Sequence, residues 1–95
     1  DPAFIGLGSL WVREDGAEID YMVLPDYWNR GYATAIATEL VNRARKIPGV
    51  TRVTALTDPS NAASRHVLLK NGFAFEKTVH VEEDDSDADM YVLKL

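Results

Sequence analysis

The spacing of apolar and polar residues predicts a two-stranded hairpin followed by a helix in the first half of the chain. Residues 3–12 and 17–24 are mostly apolar and flank a polar turn at residues 13–16, which is typical of an antiparallel hairpin. Apolar residues then recur at intervals of three and four positions: Ala33, Ile36, Ala37, Leu40, Val41, Ala44 and Ile47. This spacing predicts an amphipathic helix, which Pro48 and Gly49 are expected to end.

A further strand and helix are predicted next. The β-branched segment 51–57 predicts a short strand, parallel to the strand that precedes the first helix. Ser60 or Asn61 is expected to cap the N-terminus of a helix that runs to about Lys70. Gly72 suits the left-handed position that ends such a helix.

The last part of the chain predicts a second antiparallel hairpin. Residues 73–81 alternate in polarity, residues 90–95 form another apolar run, and residues 82–89 are an acidic connection between them. The alternation predicts one strand face that carries Phe73, Phe75, Val79 and Val81. The complete order is β-β-α-β-α-β-β, which indicates an α/β (α+β) fold with a mixed, mostly antiparallel sheet and two helices.

Composition limits the classes of protein that fit this pattern. The 95 residues are 46% hydrophobic and 26% charged, as expected for one globular domain over residues 1–95. The lack of cysteine excludes disulfides, thiolate nucleophiles and sulfur-ligated zinc. The net charge of −5 argues against nucleic acid as a partner. No apolar run could span a membrane and no basic-then-apolar leader opens the chain, so we expect a cytoplasmic protein without a membrane partner.

A glycine turn connects the second strand to the first helix within residues 22–34. Such a turn gathers unpaired backbone N–H groups at the positive end of the helix dipole, which favours binding of phosphate or another anion. An ordinary connection that Gly31 merely tightens is the alternative. Gly6-x-Gly8 is not a dinucleotide-binding motif, because a strand follows it instead of a helix.

The acidic connection does not predict a metal site. Asp85, Asp87 and Asp89 have the spacing of the first half of a calcium loop, but Met90 stands where that loop needs a glycine. Neither of the two histidines is assigned to catalysis or to a metal.

Two motifs give the chain a resemblance to a known family. The first is Val23-x-Pro25 followed by Trp28-Asn29-Arg30-Gly31-Tyr32-Ala33, and the second is Asn61-x-x-Ser64 followed by Lys70-x-Gly72-Phe73. With these motifs the chain resembles the GNAT superfamily of acetyl-CoA-dependent N-acetyltransferases. Trp28 replaces the usual Gln or Arg of the first motif, which is typical of the Rim-type (ribosomal-protein N-acetyltransferase-like) branch. Since members of the family begin with a further strand and two helices, the resemblance implies the C-terminal portion of the usual domain.

The resemblance implies a set of residues that bind acetyl-CoA: Met22, Val23, Leu24, Trp28, Asn29, Arg30, Gly31, Tyr32, Ala33, Thr34, Asn61 and Ser64. Backbone N–H groups of residues 28–34 would hold the pyrophosphate, and the end of the preceding strand would pair with the pantetheine arm. A backbone N–H near Val23 or Leu24 would polarise the thioester carbonyl. Asn61 would bond to pantetheine and Ser64 would lie against it, with helix capping as the alternative for both. Lys70 either reaches a coenzyme phosphate or lies on a solvated helix face.

The catalytic assignment implied by the resemblance is Glu18 as the general base, with Asp20 on the same strand face. An exposed strand face with ordinary carboxylates is the alternative. Many relatives use a tyrosine of the second helix to protonate the leaving thiolate, but Leu68 stands at that position here. Trp11 and Tyr21 are assigned to the core.

Two hypotheses about function follow from the resemblance. The first is an N-acetyltransferase that moves an acetyl group directly to a primary amine of a small molecule or of a protein N-terminus. The second is a truncated lobe that binds coenzyme A or a protein partner without catalysis. The strand at residues 3–12 would be an uncovered sheet edge, which another copy of the chain could pair with to form a homodimer.

Overall fold

The computed structural model describes residues 6–14 and 16–95, and its elements follow the predicted order β-β-α-β-α-β-β. They are β1 (Gly6–Val12), β2 (Ala17–Val23), α1 (Tyr32–Arg45), β3 (Arg52–Thr57), α2 (Ala62–Lys70), β4 (Ala74–Val81) and β5 (Ser86–Lys94), with a short 3₁₀ helix at Pro25–Tyr27 between β2 and α1. The predicted start of the first strand at residues 3–5, and Asp15 in the predicted turn, lie outside the described residues.

The strands form one sheet in the order β1-β2-β3-β5-β4. β2 and β3 are parallel, whereas every other pair of neighbours is antiparallel. The helix α1 connects the two parallel strands, since parallel neighbours need a long crossover. The mixed, mostly antiparallel sheet with two helices is therefore confirmed.

Both helices pack on the same face of the sheet and share one hydrophobic core. The buried residues of this core are Ala17, Ile19, Leu40, Val41, Ala44, Val53, Ala55, Leu68, Phe73 and Tyr91. The strand residues among them occupy paired positions, such as Ala17 with Val53 and Ala55 with Tyr91, so they lie on one face. The apolar stripe predicted for α1 is the side of that helix that faces this core.

The helices end close to their predicted boundaries. α1 stops at Arg45, so Ile47, which was predicted on its apolar face, lies in the turn that follows. α2 has Asn61 as its N-cap, and Gly72 beyond its end has a φ of 88°, as predicted. Within the part of the chain that the structure describes, neither helix is long and apolar enough to cross a membrane.

Gly8 allows α1 to lie directly on β1. A Cβ at this position would come within 2.8 Å of Ile36 Cγ2 and 2.9 Å of Leu40 Cδ1, both on α1. A larger residue would therefore push the helix away from the sheet. Packing of the helix explains this glycine of the Gly6-x-Gly8 pair without any nucleotide.

The assignment of Trp11 to the core is wrong. Trp11 pairs with Glu18 on the sheet face that carries no helix among the described residues, and its side chain is 52% exposed. Tyr21 lies on the helix-bearing face and packs against the core while remaining partly exposed.

The predicted apolar face of β4 is also wrong. A bulge between Phe75 and Lys77 shifts the register with β5, so that Phe75 pairs with Tyr91 while Val79 pairs with Ala88. Because the extra residue reverses the alternation, Phe75 and Val79 point to opposite faces. The ring of Phe75 contacts that of Tyr91 edge to face, with centroids 5.8 Å apart.

The second hairpin has a shorter connection than predicted. β5 begins at Ser86 instead of residue 90, so the turn covers only residues 82–85. His80 lies 3.3 Å from Asp85 and 3.2 Å from Asp87. Because β5 begins at Ser86, residues 86–89 of the acidic segment belong to this strand.

The neighbouring residues Leu68 and Leu69 of α2 provide a test of where the core lies. Leu68 is 1% exposed and Leu69 is 52% exposed. We expect Leu68→Ala to lower the free energy of unfolding by about 2–5 kcal/mol, because it removes buried contacts and leaves a cavity. Leu69→Ala, the matched control, should change it by less than about 0.5 kcal/mol. Urea denaturation measures both, and equal effects would contradict this placement of the core.

Candidate active site

The sheet opens between β2 and β3 at one end. These two strands pair from Ala17 with Val53 to Ile19 with Ala55, although β2 continues to Val23 and β3 to Thr57. Beyond the last pair, β1 is the only strand that neighbours β2 within residues 6–14 and 16–95, and it lies on the other side of β2. Its backbone is therefore accessible to an extended ligand on the side that faces β3.

A cavity of about 910 Å³ occupies this opening. The end of β2, the loop after it, the start of α1 and the exposed side of α2 form its walls. Of the residues predicted to bind the coenzyme, those that line it are Met22, Val23, Trp28, Asn29, Gly31, Tyr32, Ala33, Thr34, Asn61 and Ser64. Leu24 and Arg30 do not line it. The structure thus brings the two sequence motifs together at one place.

The loop before α1 leaves backbone N–H groups free at the helix start. The first helical bond runs from the N–H of Ala35 to Gly31 O at 3.0 Å, so the N–H groups of Tyr32, Ala33 and Thr34 have no partner within the helix. The N–H of Trp28 donates to Pro25 O at 3.2 Å and is already used inside the turn. The free groups that could hold an anion therefore begin after Trp28.

Position 31 favours glycine because of its backbone conformation, and not because neighbouring atoms would clash with a side chain. It is the N-cap of α1 and has a φ of 84°, in the left-handed region, yet a Cβ there would meet nothing within 4 Å. Asn29, two residues earlier, is also left-handed with a φ of 62°. These two positions turn the chain from β2 into α1.

Trp28 ties the loop to the end of β2. Its indole Nε1–H donates to Val23 O at 2.7 Å, while 60% of the residue remains exposed. This bond holds an aromatic ring beside the open strand edge. Arg30 lies above the ring of Tyr27, with 5.8 Å between the guanidinium carbon and the ring centroid.

Asn61 caps α2, which is the alternative that the sequence left open for it. Its Oδ1 accepts a hydrogen bond from the N–H of Ser64 at 3.0 Å. Its side-chain nitrogen has no hydrogen-bond partner among the described residues, and Asn61 lines the cavity. The two functions do not exclude each other, since capping uses the oxygen and a ligand could use the nitrogen.

Tyr21 lines the cavity, although the sequence predicted only a position in the core for it. Its hydroxyl lies 3.1 Å from Ser64 Oγ and 3.4 Å from Ser64 O, across the opening of the sheet. Burial raises the pKa of Tyr21, the hydrogen bond with Ser64 partly opposes this rise, and the charge of Asp20 adds to it. Tyr21 is therefore a neutral hydrogen-bonding group near pH 7. The sequence did contain a sign of this position: Tyr21 is two residues after Ile19, so both side chains are expected on the same face of β2.

Four further polar residues line the cavity, on α2 or in the turn before it. Lys70 and His66 are exposed and one helical turn apart, so both alternatives for Lys70 stay open. The Oγ–H and N–H of Ser60 both donate to Asp58, at 2.6 Å and 2.8 Å, and these bonds lower the pKa of Asp58. Asp58 therefore carries a negative charge at this edge of the cavity at neutral pH.

Glu18 does not line the cavity. It lies on the helix-free face of β2, opposite Trp11, and its carboxylate is 3.8 Å from the guanidinium of Arg13. Its side chain is 35% exposed. Glu18 is in the pair directly before the last pair of β2 and β3, so it is close to the opening but on the other side of the sheet. Leu68, the position of the family tyrosine, is buried in the core.

Comparison with known proteins identifies the family. A family model of the acetyltransferase (GNAT) domain matches residues 1–74. The chain belongs to the GNAT acetyltransferase family. The uncharacterized N-acetyltransferase YoaA of Bacillus subtilis (strain 168) is 33% identical over 72 residues, which are 76% of this GNAT chain and 41% of YoaA.

Solved structures share the fold of this GNAT chain. RimJ of Mycobacterium smegmatis in complex with CoA-disulfide has a TM-score of 0.85 at 23% identity and covers 97% of this chain and 48% of its own. The aminoglycoside acetyltransferase AAC(6')-Ib in complex with coenzyme A has a TM-score of 0.83 at 21% identity, over 95% of this chain and 59% of its own. The GNAT chain therefore spans less than two thirds of the length of these relatives.

The N-cap of α2 gives a prediction that tests capping in the absence of a ligand. Asn61→Ala removes the acceptor of the Ser64 N–H and should lower the free energy of unfolding by about 1 kcal/mol. Asn61→Ser keeps a capping oxygen and should cost only a few tenths of a kcal/mol. Thermal or urea unfolding without ligand measures the difference. An Asn61→Ala variant with the same free energy of unfolding as wild type would contradict the capping role.

Proposed function

We propose that this GNAT domain binds acetyl-CoA in the cavity beside β2, and that the protein it belongs to transfers the acetyl group to a primary amine. The observation that carries the proposal is the meeting of an open strand edge and a helix N-terminus in one cavity. The cavity of about 910 Å³ also has the size of sites that bind small molecules and cofactors.

The described residues fit the parts of the coenzyme. The free N–H groups of Tyr32, Ala33 and Thr34 suit the pyrophosphate, since they combine donors with the positive end of the helix dipole. The backbone of residues 22–24 suits the pantetheine arm, because it lacks a strand partner on the β3 side. The side-chain nitrogen of Asn61 suits a pantetheine carbonyl.

When bound, acetyl-CoA supplies an acetyl group as a thioester, which is activated toward amines. A backbone N–H near Val23 or Leu24 is the proposed donor to the thioester oxygen. The amine must lose a proton before it can act as a nucleophile, and Glu18 is the proposed base, directly or through water. Because these 95 residues contain no cysteine, we propose direct transfer without a thiol intermediate: the C–N bond forms, the C–S bond of the thioester breaks, and water would supply a proton to the leaving thiolate.

The Rim-type branch is the proposed subgroup. The supporting residues are Trp28 in the loop, which is typical of that branch, and Leu68, which stands where other relatives have a tyrosine that the branch commonly lacks. The likeness to RimJ, at 23% identity, concerns the fold alone. The amine acceptor would then be on a small molecule or at a protein N-terminus.

Binding without turnover is the second candidate function. Glu18 lies on the sheet face away from the cavity and is paired with Arg13, which favours a domain that holds coenzyme A but lacks a working base. A homodimer through β1 and a cytoplasmic location stay predictions. Coenzyme binding is common to both functions, so it is tested first.

The loop glycine provides the test of coenzyme binding. Wild type should bind acetyl-CoA in a calorimetric titration, and Gly31→Ala should weaken binding about tenfold or more, because it misaligns donors to a charged group. Gly49→Ala is the matched control. Gly49 also has a positive φ, of 88°, and a Cβ added there would meet nothing within 4 Å, but Gly49 does not line the cavity. No binding by wild type, or equal weakening by both variants, would overturn the proposed site.

The base is tested by substituting Glu18. If Glu18 removes the proton, Glu18→Gln should lower kcat for acetyl transfer by about 10²–10⁴-fold and leave acetyl-CoA affinity unchanged. Thiol release with a panel of primary amines gives the rate, and calorimetry gives the affinity. If wild type binds acetyl-CoA but turns over no amine, the binding function without catalysis is correct.

A further inference from the structure

We propose that Tyr21 is a positioning residue, which orients the hydroxyl of Ser64 toward the coenzyme. This inference rests on the proposed function. Tyr21 lies on β2 and Ser64 on α2, and they are separated by 43 positions in the sequence. Their hydroxyl oxygens are 3.1 Å apart, both residues line the cavity, and Tyr21 lies beyond the last pair of β2 with β3.

The hydrogen bond has a preferred direction. Either hydroxyl could be the donor, but a phenol is more acidic than an aliphatic alcohol and is therefore the better donor. Burial raises the pKa of Tyr21, so its proton is retained at neutral pH. Tyr21 then donates to Ser64 Oγ, and its hydroxyl oxygen also lies 3.4 Å from Ser64 O.

This direction leaves the proton of Ser64 available to a ligand. Ser64 Oγ has no other hydrogen-bond partner among the described residues, and Ser64 lines the cavity. A hydroxyl that accepts one bond can still donate one. Ser64 O–H is thereby directed to a carbonyl oxygen or to the sulfur of the bound coenzyme.

The contact also fixes the distance between β2 and α2. Tyr21 is the first residue on the helix-bearing face of β2 after the last pair with β3, at Ile19 and Ala55. With no strand pairing at this level, the side-chain bond to Ser64 replaces a backbone link on that side of β2. Loss of the Tyr21 hydroxyl would free the Ser64 side chain to rotate, and the ring would remain in place.

The test is a double-mutant cycle on the affinity for coenzyme A, measured by calorimetry. Tyr21→Phe and Ser64→Ala should each weaken binding about fivefold, the usual effect of one hydrogen bond. The double variant should be no weaker than Ser64→Ala alone, because Tyr21 acts through Ser64. Ser64→Thr keeps a hydroxyl and should stay within about twofold of wild type.

Two controls separate positioning from general damage. Thr78→Val removes a hydroxyl bonded to Asp89 at 2.8 Å, on the β4–β5 hairpin, and should leave affinity unchanged because neither residue lines the cavity. Thermal unfolding without ligand reports whether each variant is folded at the titration temperature. Tyr21→Phe with wild-type affinity, or effects of Tyr21→Phe and Ser64→Ala that multiply, would overturn this inference alone. No binding by wild type would overturn the proposed function and this inference with it.

Discussion

The end of parallel pairing between β2 and β3 is the constraint on which the site depends. The strands separate after Ile19 and Ala55, and among the residues that the structure describes the backbone of β2 beyond that point has no strand partner on the β3 side. The same strand end leads through the glycine turn into α1, whose first N–H groups are free. One strand end therefore supplies both an open edge for an extended ligand and a site for an anion.

The polar side chains around the opening connect elements that the sheet no longer joins. Tyr21 links β2 to α2, and Trp28 links the loop to the end of β2. Asn61 caps α2 with its oxygen while its nitrogen remains available. The proposed binding roles fall on residues that also hold the structure together, so we expect the loss of one of these side chains to change both stability and affinity. Gly49 and Thr78 serve as controls for stability effects, because neither residue lines the cavity.

Local patterns were sufficient for the element order, whereas most residues of the cavity wall were predicted from the family resemblance. The three-and-four spacing in α1 and the cap and glycine at the two ends of α2 depend on residues within one or two turns. Two motifs in separate halves of the chain meet in one cavity, which the sequence suggested only through its resemblance to a family. The exposure of Trp11 was not predicted. The alternation along a strand shows which residues share a face, but it does not show which face the helices cover.

The sequence by itself determined which segments are strands and helices, where they are capped, and that the loop after β2 would present N–H groups. These properties follow from interactions between near neighbours. Tertiary structure decided where the parallel pairing stops, how the bulge reverses β4, and that Glu18 and the cavity lie on different sides of the sheet. It also brought Tyr21 to Ser64 across 43 positions. Such contacts depend on packing between distant segments, and no short-range periodicity specifies them.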